Sequence, residues 1–123
     1  MIRIFSALTI CATLAACAAP VTSTQRLELT AAQVATIENT VRYRMKDPES
    51  AQFRNIRSSR VTRDDGTVNQ EICGQVNGRN SFGGYVGFQT FTGRLVGDQF
   101  QIILAPSADS AIAESMICGS YGM

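Results

Sequence analysis

The stretch DDGTVNQEICGQV, Asp64 to Val76, decides the fold class. Val68, Gln70, Ile72, Gly74 and Val76 alternate with Asn69, Glu71, Cys73 and Gln75, the two-residue period of a strand with one largely apolar face. Asp64-Asp65-Gly66 ahead of it is a hairpin signal, because glycine supplies the left-handed backbone that tight turns require. Phe53 to Arg63 then form the partner strand. Arg54, Arg57, Arg60 and Arg63 recur every third residue. That spacing changes faces along a strand but follows one side of a helix, so a helical continuation is the competing reading.

Toward the C-terminus, Asn77 to Gly84 form a turn-rich loop, and Tyr85 to Leu95, rich in aromatic and Thr residues, read as a third strand. Gly97-Asp98 turn the chain into a fourth, Gln99 to Ala105. Pro106 and Ser107 begin a short helix holding Ile112, Met116 and Ile117, closed by Gly119. Toward the N-terminus, Thr30 and Gln33 have capping-box spacing, and Val34, Ile37, Val41 and Met45 predict a helix over 31–46. Pro48 stops it, and Asp47-Pro48 can open a second short helical turn through Ala51. The expectation is one α+β domain over 30–123: an N-terminal helix, a four-stranded antiparallel meander and a short C-terminal helix, the helices packed on one face of the sheet.

Residues 1–16 have the layout of an export signal: Arg3, an apolar run from Ile4 to Leu14, then small residues. The run is shorter than the ~20 residues of a permanent span. Leu14-Ala15-Ala16-Cys17 resembles the bacterial lipobox, which implies acylation of Cys17 and attachment to membrane lipid through it. Cys11 follows bulky Ile10 and an apolar stretch too short to serve; cleavage by a soluble-protein signal peptidase near Ala18 is the rival reading. Ala18 after the cysteine is not the aspartate that resembles an inner-membrane retention signal, so the expected location is the periplasmic face of the outer membrane. Residues 17–29, with Pro20 and several Ser and Thr, read as anchor and flexible tether.

Eleven basic and ten acidic residues leave the chain near neutrality, which points to no nucleic-acid partner. Histidine is absent, removing the commonest general base near neutral pH and the commonest ligand of catalytic metals. No catalytic residue, metal site or cofactor is expected. Asp64 and Asp65 are adjacent turn carboxylates, and Ser81 has no histidine to activate it. With Cys17 acylated, Cys73 and Cys118 remain as an even pair, which in an oxidising compartment predicts one disulfide. Closing a loop of about 46 residues contributes about 4 kcal/mol in the chain-entropy model. A redox pair or metal site is the rival, but CxxC spacing is missing.

The run from Cys73 to Tyr85, CGQVNGRNSFGGY, is the most distinctive in the chain. With Lys46-Asp47-Pro48 and Ser50-Ala51 it resembles an uncharacterised family of small bacterial and prophage-encoded proteins. There a helix ends in a lysine-aspartate-proline, serine-alanine run, and a later C-G-x-V-N stretch leads to N-S-[FY]-G-G-Y. The resemblance spans about residues 40–92 and implies a shared fold, with no activity to carry over. Gly78, Gly83 and Gly84 permit positive φ, which suits a plain hairpin loop. The functional reading makes Asn77, Arg79, Asn80, Ser81, Phe82 and Tyr85 a recognition surface. No GK[ST] follows, so a phosphate loop is disfavoured. Seven basic residues between Arg42 and Arg63, against Asp47 and Glu49, form either a polyanion- or bilayer-docking patch or a solvated face. The function expected is a non-catalytic module that binds an envelope protein or cell-wall polymer; a binder of small ligands or polyanions is the alternative.

Overall fold

Alternating side chains build five strands rather than four. The computed structural model describes residues 18–123. Within it a single antiparallel sheet runs β1 (Val21–Leu27), β2 (Gln52–Arg63), β3 (Val68–Asn77), β4 (Gln89–Val96) and β5 (Gln99–Leu104), neighbours in space in chain order. The additional strand, β1, comes from the segment expected as tether. Thr22 to Arg26 are polar and give no apolar stripe, but an edge strand needs only a partner's free backbone groups, which β2 supplies through register pairs such as Thr24 with Val61 and Leu27 with Ser58. The helical alternative for Phe53 to Arg63 is excluded, since β2 pairs with β3 along its length.

Thr30 caps α1 (Ala31–Arg42) as a full capping box: its Oγ1 accepts from the Gln33 amide at 3.1 Å, and Gln33 Oε1 accepts from the Thr30 amide at 3.0 Å. The helix ends at Arg42, four residues short of the expected bound, and Met45 packs from the following turn. Ile37 and Val41 lie fully buried against Ile72 and Val76 of β3, Phe91 and Leu95 of β4 and Phe100 of β5. Phe91 stands edge-on to both Phe53 and Phe100, each at 6.2 Å between centroids. Its ring occupies the space a Cβ at Gly74 would need, as the Phe100 ring does at Gly93, so these two strand glycines admit the aromatics.

The helices cover both faces of the sheet, not one. After a short 3-10 turn (Ala108–Ser110) the chain makes α2 (Ala111–Ala113) and widens into π-type turns through Cys118. Cys118 joins Cys73 in a disulfide, and Cys73 faces away from α1 because its neighbours Ile72 and Gly74 face toward it. This second layer buries Ser110, Ala113 and Cys118, half-buries Ile117 and leaves Ile112 and Met116 64% and 69% exposed, so two of the three apolar residues expected on that helix point outward. Its attachment is polar: Thr90 donates from its amide to Ser110 Oγ (2.8 Å) and from its hydroxyl to Glu114 (3.1 Å), and Arg57 pairs with Glu114. Glu71, fully buried, accepts two bonds from Arg94 (3.1 and 2.7 Å) and one from Arg63 (3.5 Å).

Candidate functional site

The two sequence stretches that carry the resemblance meet in space. After α1 the chain turns through Tyr43 to Asp47 into a 3-10 turn, Pro48–Ser50. The buried Ser50 is the junction. Its hydroxyl accepts from the Arg79 amide at 2.8 Å and donates to the Asp47 carbonyl at 2.7 Å, while its carbonyl accepts from the Tyr85 hydroxyl at 3.2 Å. Lys46 Nζ donates to Ser81 Oγ at 3.3 Å. Met45 lies where a Cβ of Gly78 would sit, so that glycine serves close approach; of the three loop glycines only Gly83 has a positive φ, 82°.

The loop is closed by its own polar groups. Asn80 Oδ1 accepts from the amides of Phe82 (3.0 Å) and Gly84 (3.2 Å), the Asn80 amide donates to the Gly84 carbonyl at 2.8 Å, and Asn77 Oδ1 accepts from Gly87 at 2.9 Å. Arg79 and Tyr85 form an isolated bridge, with the guanidinium 5.3 Å from the ring centre. The third strand therefore begins at Gln89, not at Tyr85, because Tyr85 to Phe88 are held by the loop. Of the six predicted recognition residues, Asn77 and Asn80 use their side chains to shape the loop, Tyr85 ties it to Ser50, and Arg79, Ser81 and Phe82 lie exposed. Phe82 is 97% exposed, the most exposed large apolar side chain among the described residues.

Beside the loop opens a cleft of about 310 Å³ between the turn after α1 and the ends of β3 to β5. Arg44, Lys46 and Arg79 line it together with Asn80, Gln89 and the apolar Met45, Val76, Val86 and Pro106. No carboxylate is among the lining residues. Arg44 and Lys46 lie outside the predicted recognition loop but inside the basic span from Arg42 to Arg63, and Lys46 and Ser50 also belong to the quoted helix-end run.

No family model, curated protein or solved structure matches the chain.

The basic span does not form one patch. Asn55 adopts φ 53° and the β2–β3 register shifts between Arg54 and Arg57, so the alternation of faces is reset there. Arg54 lies 3.7 Å over the Phe88 ring and bonds Gln75; Arg57 pairs with Glu114, Arg60 with Gln25, and Arg63 with Glu71 and Tyr121. Cys73 and Cys118 are consumed by the disulfide, and no group of three or more potential metal ligands occurs among the described residues. Cys17 and the export signal lie outside those residues.

Proposed function

We propose that the chain is a lipid-anchored envelope protein, held by acylated Cys17 at the periplasmic face of the outer membrane, whose domain is a non-catalytic binding module for an envelope protein or cell-wall polymer. One observation carries the binding role: Phe82 projects into solvent from a loop whose backbone is already closed by internal hydrogen bonds. An isolated exposed apolar residue is ordinary. A ring fixed on a preorganised loop differs, because burying it against a partner orders little additional chain, and the apolar gain of roughly 25 cal/mol per Å² is retained. The absence of histidine and the use of the Ser81 hydroxyl and the Glu114 carboxylate in structural contacts favour binding over catalysis.

The test uses the purified full chain as bait on envelope extract and on isolated wall material. Phe82→Ala leaves the melting temperature within about 3 °C, since an exposed side chain contributes little to stability, and abolishes capture. Undiminished capture by the variant, or loss accompanied by unfolding, overturns the reading. Mass spectrometry of the membrane fraction tests the anchor: the expected N-terminal peptide begins at acylated Cys17.

A further inference from the structure

Strand polarity separates the two ends of the domain. β1 starts, β2 ends and β3 starts at one end, while the loop from Asn77 to Tyr85 leaves β3 at the other. At about 3.3 Å per residue, the ten residues of β3 put roughly 30 Å between them. The Pro20 carbonyl accepts from the Asp64 amide at 3.0 Å, so the chain leading back to Cys17 is pinned to the β2–β3 turn and only Ala18 and Ala19 precede that pin. Two residues reach about 7 Å. With Cys17 in a bilayer, the end bearing Asp64, Asp65 and Asp98 lies against it, and the cleft faces away, several screening lengths distant.

At that far end the charge is unmatched. Arg42, Arg57, Arg63 and Arg94 have carboxylate partners, whereas Arg44, Lys46 and Arg79 have none among the described residues. Three cations around one cleft without an acid repel one another, and an anion entering it relieves that repulsion. Lipid headgroups of the anchoring bilayer are out of reach. The rest of the lining selects the kind of anion: Val86 and Met45 present apolar surface, and the Gln89 carboxamide and the Asn80 side-chain amide nitrogen present polar groups. Those groups match a peptide, with its small side chains and backbone amides, better than a bare hydrated phosphate.

We propose that this cleft holds the terminal carboxylate of a short peptide, free or as part of a wall polymer, presented from the side away from the anchoring membrane. The site rests on the binding role proposed above but is tested separately from it. Titration calorimetry of the full chain with tri-alanine as the free acid should show saturable binding. Its C-terminal amide should bind about tenfold more weakly, or worse, because a charge-assisted contact is lost. Arg79→Gln and Lys46→Gln should each weaken the acid several-fold at unchanged melting temperature, while Arg54→Gln, on the opposite face, changes nothing. Equal affinity for acid and amide, phosphate matching the peptide acid, or no binding of the acid overturns the proposal. Phe82-dependent capture surviving such a failure would leave the binding module standing without this cleft. A normal titration beside Phe82-independent capture would do the reverse.

Discussion

Glu71 shows how one side chain can hold three neighbouring strands together. It is fully buried, one of its oxygens receives three bonds from Arg63 and Arg94, and the other has no partner among the described residues. Removing the carboxylate leaves two guanidinium groups short of their counter-charge in a partly dry site. Glu71→Ala is therefore expected to cost about 2–4 kcal/mol by chemical denaturation, toward the lower end because both arginines keep some solvent contact. Gly74→Ala is a steric counterpart: the new methyl meets the Phe91 ring, and overpacking of about 1–3 kcal/mol should appear as a lower melting temperature. Asp65 sits at the exposed β2–β3 turn, where hydrogen bonds from Thr67 hold its carboxyl below its ordinary pKa. A depressed acid contributes stability above its unfolded pKa and loses it as pH falls through the folded value. NMR titration of Asp65 should accordingly place its midpoint below that in Thr67→Ala.

Among the elements, the C-terminal segment depends most on a covalent link. Its outward face carries Ile112 and Met116, so burial on that side cannot hold it; the disulfide, Ser110 and Glu114 do. Cys118→Ser should lower stability by about 3–4 kcal/mol, a melting shift of 10 °C or more for a domain of this size. Proteolysis of the reduced protein should then begin in residues 108–123. The bulge in β2 is the other special element. Asn tolerates the left-handed conformation better than a branched residue does, so Asn55→Val should destabilise by about 1–2 kcal/mol while Asn55→Gly is nearly neutral. A four-strand reading also misjudged the chain's first element. β1 leaves almost no tether, so the proposed acylation of Cys17 would seat the domain close to its anchor instead of leaving it loosely attached.

For the molecule as a whole, that seating has an observable consequence. On vesicles carrying the acylated chain, Ser81→Cys should react with a membrane-impermeant maleimide as fast as in the unacylated chain, whereas Thr67→Cys, at the β2–β3 turn, should react more slowly. Equal protection at both positions would contradict a domain standing with its loop outward. The dispersal of Arg54, Arg57 and Arg60 over separate partners argues against a collective bilayer-docking patch, so changing them together to Gln should alter binding to anionic vesicles little. Local pattern was enough for the α+β class, the capped start of α1, the hairpin at Asp64 to Gly66, strands β2, β3 and β5, and the pairing of Cys73 with Cys118. Each depends on short-range periodicity, on turn chemistry or on there being two cysteines left to pair. The polar edge strand, the helices on opposite faces, the outward turn of Ile112 and Met116, and the meeting of Lys46, Ser50 and Arg79 at one cleft arise only on folding. They follow from which free strand edge is available, which face a disulfide reaches and which distant residues a sheet's ends bring together, and those long-range contacts leave no periodic trace along the chain.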